Sequence, residues 1–443
     1  MNIIEIIRKK RDGEKLSTEE IAFLVCGAVD GAISEAQLGA FLMAVYFNGL
    51  SHEETTALAL EMARSGEMLD LSSIPGTVDK HSTGGVGDKT TMIVAPLVAA
   101  AGVPVAKLSG RALGHTSGTI DRLEAIPGLR TDLTTAELIA QVKKIGLAVG
   151  SQTGNLVPAD KKLYALRDQT ATVEVVSLIA ASVMSKKLAG GAEGILLDVK
   201  CGQGAFIKDL KQAKELAQIM VEIGKSAGRK MTALITAMEE PLGKAVGEGV
   251  ETCEAIETLR GNGPADLVEL SLLIASHMVC LGSGMGILPM TAGISTTGEM
   301  PVPQQAQALI EPLKELLASG AALEKFRQMV IAQGGDSKVF DNPQSLAQAR
   351  FEEHFKAGKS GFIQQINAHV IGTIARNLVK NHRGGILLEH KVGEKVDKEE
   401  ILARLLSDGS DVLKEAMKHI EAAYVIVEEK PEALPVLLCP PME

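Results

Sequence analysis

The chain has 443 residues, 46% of them apolar and 23% charged, which is enough for two or three globular domains. Aromatic residues make up only 3% and Trp is absent, which argues against a stacking platform for single-stranded nucleic acid. The formal charge of −10 speaks against a general nucleic-acid or anionic-membrane surface and leaves room only for a local basic pocket.

The opening residues, MNIIEIIRKKRDGEK, contain no apolar signal core. The longest apolar stretch, Thr91–Ala106, holds Pro96 and Pro104 and falls short of the ~20 residues of a membrane span, so no membrane association is expected. Cys26, Cys201, Cys253, Cys280 and Cys439 lack CxxC spacing. Neither a disulfide framework nor a zinc site is expected, and a reducing cytoplasm suits the chain.

Residues 1–66 read as helices. Ser17 with Glu20, Ser34 with Gln37 and Ser51 with Glu54 form three successive capping boxes. Apolar residues follow at helical spacing, and Gly31, Gly49 and Gly66 fall near the expected ends. From Gly76 the pattern becomes alternating. Strands are expected at Val103–Leu108, Leu147–Gly150, Gly194–Val199 and Met231–Thr236, with helices such as Thr134–Ile145 and Leu210–Ser226 between them. Such alternation predicts an α/β domain with a mainly parallel sheet. Asp160–Leu188 is helical with no strand of its own and is expected to rejoin the N-terminal helices. Gly282–Pro303, dense in glycine and proline, reads as an ordered irregular loop. Beyond Ser345, strands are expected at Gly361–Ile366, Gly385–His390 and Ala423–Glu428, a turn at Lys391–Val396 and a helix at Lys398–Leu406. This is an α+β tail packed on the main domain.

Chemistry concentrates in two segments. In VDKHSTGGVGDKTT (Val78–Thr91) a strand ends, a Gly-rich loop follows and a helix opens. Gly84, Gly85 and Gly87 let backbone N–H groups approach an anion, Ser82 and Thr91 offer hydroxyls, and Lys80 supplies a full charge. In KLSGRALGHTSGTIDRLE (Lys107–Glu124), Ser109, the N–H of Gly110 and Thr119 can meet the same anion from the opposite wall. Two Gly-rich turns after two strands make a phosphate pocket at the carboxyl edge of a sheet. Arg111, Asp121 and Glu124 are expected to hold the second loop by ion pairs, and His115 reads as a hydrogen-bonded loop histidine.

Both segments resemble the signatures of the thymidine/pyrimidine-nucleoside phosphorylase family. DKKLYALRDQTATVEVVSLIAASVMSKKL (Asp160–Leu188) and LDVKCGQGAF (Leu197–Phe206) match it as well. The similarity runs from the first helix to about residue 270 and again over the C-terminal tail, with little between 282 and 345. The resemblance implies phosphorolysis, in which a pyrimidine nucleoside and inorganic phosphate give free base and pentose 1-phosphate. It places phosphate at Lys80, Ser82, Thr91, Lys107, Ser109 and Thr119. It places the base at Arg167, Ser182 and Lys186, with His81 reaching the 2-carbonyl as imidazolium or through its N–H. His81, Arg167 and Lys186 would then carry catalysis. Two cations on an inserted helical stretch agree with this, because inward-facing charges need an acceptor; alone, Lys186–Lys187 would read as an exposed lysine pair.

The resemblance further implies a homodimer, no organic cofactor and a potassium site at Gly87, Lys89, Leu242, Ala245 and Glu254. Position 89 is Lys where relatives often have Thr. Either only its backbone carbonyl is needed, or its ammonium turns inward and replaces the ion. Ala112 and Ser117 stand where relatives often have Gly, a strain if either needs positive φ. Residues 1–66 and 159–190 are expected to form a helical domain with the base site and dimer contacts. Residues 76–150 and 191–340 would form the α/β domain with the phosphate site, and 345–443 the C-terminal subdomain. Hinges are expected near 66–76, 150–158 and 190–191. Alternatives are a thymidine phosphorylase restricted to 2'-deoxynucleosides, an anthranilate-type phosphoribosyltransferase using Glu239–Glu240 with magnesium, and a lipoyl-like binding module around Lys391–Val396, which lacks a lysine at its tip.

Overall fold

The computed structural model describes residues 1–112, 114–282 and 302–443. The stretch 283–301, most of the expected irregular loop, lies outside them. Four helices open the chain: α1 (Ile3–Arg11), α2 (Thr18–Asp30), α3 (Glu35–Asn48) and α4 (His52–Arg64). All three expected capping boxes are formed. Gly31 ends α2 in the left-handed conformation, φ +80°, which only glycine adopts freely. Lys10 and Glu54 are buried together, 2.9 Å apart. The Glu54 carboxylate also accepts from the N–H groups of Leu16 and Ser51, so no charge is left bare.

The chain then alternates: β1 (Val78–Ser82), α5 (Thr90–Ala100), β2 (Val105–Ser109), α6 (Thr119–Glu124), α7 (Thr135–Ile145) and β3 (Leu147–Ser151). Next come α8 (Pro158–Gln169), α9 (Val176–Ala189), β4 (Gly194–Cys201), α10 (Leu210–Ser226) and β5 (Lys230–Ala237). The five strands form one parallel sheet of order β3-β2-β1-β4-β5. As expected, α8 and α9 leave this sheet and pack on α2, α3 and α4. The three crossings lie side by side. Glu67 N–H donates to Asn155 O at 2.8 Å, and Leu69 N–H donates to Ala189 O at 2.8 Å.

The remainder comprises β6 (Ala245–Gly247), α11 (Gly249–Leu259), α12 (Ala265–Gly282), α13 (Val302–Ala308), α14 (Ile310–Ala318), α15 (Ala321–Ala332), β7 (Phe351–Lys356), β8 (Gly361–Ile366), α16 (Ala368–Leu378), β9 (Gly385–Leu388), β10 (Lys395–Val396), β11 (Ile401–Ser407), α17 (Ser410–His419) and β12 (Tyr424–Val427). They build two antiparallel sheets, β10-β8-β12 and β6-β9-β11-β7. Because β6 pairs with β9, the second sheet welds the tail to the α/β part. The architecture is thus the expected one: a helical bundle, a larger α/β domain and an α+β C-terminal part.

Two expectations are corrected. Lys398–Leu406 is not a helix; its residues form most of β11, between β7 and β9. Leu402, Ala403, Leu405 and Leu406 are buried on both faces, and a short run buried all round carries no period to tell strand from helix. Glu399, at φ +71°, marks the turn that precedes the strand. The second concerns the expectation that no apolar stretch is long enough for a membrane span: among the described residues the 18-residue α12 is long and apolar enough to cross a membrane by length and composition. It packs on α5 and β4, and 67% of it is buried inside the fold.

Removing Glu54 would strand the Lys10 ammonium in the bundle. Glu54→Ala should lower stability by about 3–5 kcal/mol. Ser34→Ala, which removes one exposed cap, should cost about 1 kcal/mol. Urea unfolding followed by circular dichroism reads both, and equal midpoints would contradict the assignment.

Candidate active site

The strand order fixes where a pocket can open. From β1 the chain steps to β2 and β3 on one side, then returns to place β4 on the other. The carboxyl ends of β1 and β4 therefore flank the switch point, where open parallel sheets bind ligands. Ser82 pairs with Asp198 there, and Ser109 closes β2 beside them.

Four lysines and three aspartates are buried at this edge: Lys80, Lys107, Lys187 and Lys200 against Asp79, Asp88 and Asp198. Lys80 Nζ donates to Thr90 Oγ1 at 2.7 Å and lies 3.1 Å from Asp198 Oδ2 and 3.7 Å from Asp88 Oδ2. Lys200 Nζ lies 2.9 Å from the same Asp198 oxygen. Lys187 Nζ reaches Asp79 Oδ2 at 2.6 Å and Leu108 O at 3.0 Å. Lys107 Nζ donates to Lys80 O and stands 3.8 Å from Asp79 Oδ1. The set is one negative charge short. Burial, then the neighbouring Lys187, pushes the Lys107 ammonium down to about 7. Burial opposes ionisation of Asp88, but Lys80, Lys200 and the hydroxyls of Ser82 and Thr90 outweigh it and hold the carboxyl well below its ordinary range.

The Gly-rich loop closes over this edge. Ser82 Oγ donates to Asp88 Oδ2 at 2.5 Å and accepts from Gly84 N–H at 3.4 Å. Thr90 Oγ1 donates to Asp88 Oδ1 at 2.5 Å. Thr91 follows Thr90 but lies beside Met92, Ala95 and Leu123, outside this hydrogen-bonded set. On the facing wall, Ile120 N–H reaches back to Gly110 O at 3.5 Å, which sets Thr119 beside Ser109 and Gly110. The expected ion pairs hold that loop, with Arg111 3.2 Å from Asp121 and 2.6 Å from Glu124. Neither Ala112 nor Ser117 adopts a positive φ, so their replacement of glycine strains nothing. His115 Nε2–H donates to Gly204 O at 2.9 Å, and its ring lies 4.3 Å from that of His369.

The helical side brings a second set together. Lys186 Nζ donates to Ser182 Oγ at 2.8 Å, to Ser182 O at 2.9 Å and to the Asp160 carboxylate. Arg167, buried, donates to Thr172 O at 3.4 Å, Leu178 O at 3.1 Å and Val173 O, and lies over the Tyr164 ring. Burial lowers its pKa, partly offset by Asp160. His81 stands between the two sets. Burial, then the charges of Lys187, Lys107, Lys186 and Lys80, depress its pKa well below the ordinary value, which favours the neutral ring.

Sequence reasoning missed Lys187, which it paired with Lys186 on the surface. Successive residues on a helix point about 100° apart, so one lysine of the pair turns to the sheet and the other to Ser182. Asp88 and Thr90 lie within the quoted motif and could have been read as its hydrogen-bonded frame. Asp160 carried no spacing signal, because its partner is on another helix.

Around the third expected cluster, Lys89 Nζ donates to Leu242 O at 3.0 Å, Ala245 O at 2.9 Å and the Glu254 carboxylate. A side-chain cation thus stands among the groups expected to hold potassium.

Comparison with known proteins agrees with this fold. The model of a glycosyl transferase family's helical bundle domain matches residues 4–66, and that of the family's a/b domain matches 75–323. A Staphylococcus aureus (strain USA300) protein named pyrimidine-nucleoside phosphorylase is 46% identical over 438 residues, 97% of each chain. Its counterpart from strain bovine RF122 / ET3-1 matches to the same extent. The chain therefore belongs to the glycosyl transferase family and, within it, to the pyrimidine-nucleoside phosphorylases. A crystal structure of anthranilate phosphoribosyltransferase from Thermus thermophilus shares the fold, with a TM-score of 0.57 at 20% identity, over 74% of this chain and 98% of that one.

Lys107 makes anion binding sensitive to pH. Sulfate keeps its charge between pH 6 and 9, while the free enzyme loses the Lys107 proton above about 7. Sulfate affinity measured by calorimetry should hold below that point and weaken above it by up to about tenfold per pH unit. Lys107→Met should bind weakly with no such slope; a wild-type profile flat across the range would contradict the charge balance.

Proposed function

We propose that the chain catalyses reversible phosphorolysis of pyrimidine nucleosides, uridine, thymidine and deoxyuridine among them, giving free base and (deoxy)ribose 1-phosphate. The observation that carries this reading is the pair of side-chain sets: buried Lys80, Lys107, Lys187 and Lys200 against three aspartates at the sheet edge, and Lys186 bonded to Ser182 with the buried Arg167 bonded to Leu178 O on the helices. Residues 1–66 and 159–190 act as the base-binding lobe, 76–150 and 191–340 as the phosphate-binding lobe, and 345–443 as a subdomain packed on the latter.

Breaking the glycosidic bond builds positive charge on the sugar and negative charge on the departing base. Lys186 and Arg167 stabilise that negative charge, and Ser182 fixes the ring by its imide edge. Asp160 and Ser182 hold the Lys186 ammonium in place until the base arrives. His81 donates its N–H to the 2-carbonyl oxygen as the bond lengthens. Phosphate needs no general base, being already anionic. Lys80, Lys107, Ser82, Ser109, the Gly110 N–H, Thr119 and the start of α5 at Thr91 hold it under the anomeric carbon. Its charge completes the lysine–aspartate set and offsets the sugar's cationic character.

A phosphoribosyltransferase would leave the base set unused, and its candidate acidic pair is occupied: Glu240 lies 3.3 Å from Lys391, and Glu239 accepts from Gln203 N–H at 3.3 Å. The lipoyl-like reading fares no better. Lys391 donates to Pro241 O and Gly243 O and pairs with Asp266 at 3.0 Å, clamping the turn to the α/β domain. No disulfide is formed among the described residues, which suits a reducing cytoplasm.

The partner is a second copy of the chain, seated on the apolar face of the first helices. Val29, Met43, Tyr46 and Phe47 are exposed there, Phe47 at 75%.

Release of uracil or thymine, followed by absorbance, should require phosphate or arsenate; equal release without either would make the protein a hydrolase. Lys186→Ala should lower kcat about 10²- to 10³-fold with the fold retained, and wild-type turnover would remove the base-site assignment. Phe47→Glu should shift sedimentation from dimer to monomer; an unchanged species would place the interface elsewhere.

A further inference from the structure

We infer that Lys89 is a built-in monovalent cation: its ammonium occupies the oxygen cage expected to take potassium, so the chain works without that ion. The cage does not fit a free ion as it stands. An ammonium has three N–H donors. Here they meet Leu242 O at 3.0 Å, Ala245 O at 2.9 Å and the Glu254 carboxylate, so every donor has an oxygen. The Lys89 side chain is fully buried, and a Cβ on Gly243 would fall 3.0 Å from Nζ. No room is left for a second cation, and two like charges in one cage would repel.

The cage itself has the chemistry of a site for a singly charged hard ion: two backbone carbonyls and one carboxylate, shielded from water. Glu254 is further fixed by the N–H groups of Lys244 and Ala245, at 2.9 Å and 3.1 Å for the nearer oxygens. Without a cation its carboxylate would face the Leu242 and Ala245 carbonyls with backbone N–H donors but no counter-charge.

The cage also reaches the phosphate edge. Gly87 lies against the carbonyls of Leu242 and Ala245 at φ +72°, which excludes other residues there. Leu242 N–H donates to Val86 O at 3.0 Å. Lys89 itself stands next to Thr90, the residue that joins Lys80 to Asp88. The cation therefore pins the segment before β6 to the Gly-rich loop and sets the loop's shape.

Three measurements test the inference, two of them independent of activity. Wild-type melting temperature and phosphorolysis should be the same in potassium chloride and in choline chloride at equal ionic strength. Lys89→Thr, which empties the cage, should lose about 10- to 100-fold in kcat/KM in choline chloride through the misplaced loop. It should melt lower there and recover both properties with potassium or rubidium but not lithium. Crystals soaked in rubidium should show an anomalous peak between Leu242 O, Ala245 O and Glu254 in Lys89→Thr and none there in the wild type. A rubidium peak in the wild-type cage, or a rise in wild-type melting temperature specific to potassium, overturns the inference. So does a folded Lys89→Thr that no monovalent ion restores. If Lys89→Thr fails to fold, the wild-type melting and rubidium measurements decide alone.

Discussion

The molecule is organised around a buried charge imbalance. Four lysines meet three aspartates at the carboxyl edge of a parallel sheet, with almost no exposure to water. Buried charges are tolerated only when paired, and Asp79 and Asp198 each serve two lysines here. The nearest carboxylate to Lys107 stands 3.8 Å away, and burial, then Lys187, pushes its ammonium down to about 7. In the proposed reaction, the phosphate oxyanion completes the set. The Gly-rich loop, the second turn and the start of α5 surround the place where that charge is missing.

The same lysines tie the lobes together. Lys187 reaches from α9 into the sheet edge, and its neighbour Lys186 turns to Ser182 and Asp160. One helix thus presents adjacent cations to the phosphate side and to the base side. His81, under the field of both sets, stays neutral. In the proposed reaction, a neutral donor at the 2-carbonyl would avoid placing another positive charge beside the developing sugar cation. At the far side of the loop, Lys89 brings a charge of its own to Leu242 O, Ala245 O and Glu254, so side-chain cations stand on both flanks of the Gly-rich loop.

Much of this was legible in the sequence. The capping boxes, the strand–helix alternation and the two Gly-rich turns are local features, and local rules read them. The return of α8 and α9 to the bundle followed from the missing strand. Other features depend on tertiary neighbours. Lys187 looks like a surface lysine until Asp79 is placed beneath it. Thr90, rather than Thr91, joins Lys80 because of where the first turn of α5 faces. Residues 398–406 read as a helix because a strand buried on both faces shows no alternation. The direction of the Lys89 side chain depends on residues 242, 245 and 254, far along the chain.

The most direct test is a crystal structure with sulfate and uracil bound together. Sulfate should sit against Lys80, Lys107, Ser82, Ser109 and Thr119, and uracil against Arg167, Ser182 and Lys186, with His81 between them and room for one pentose. Sulfate bound away from the lysine–aspartate set, or the two ligands too far apart to meet through one sugar, would contradict the account.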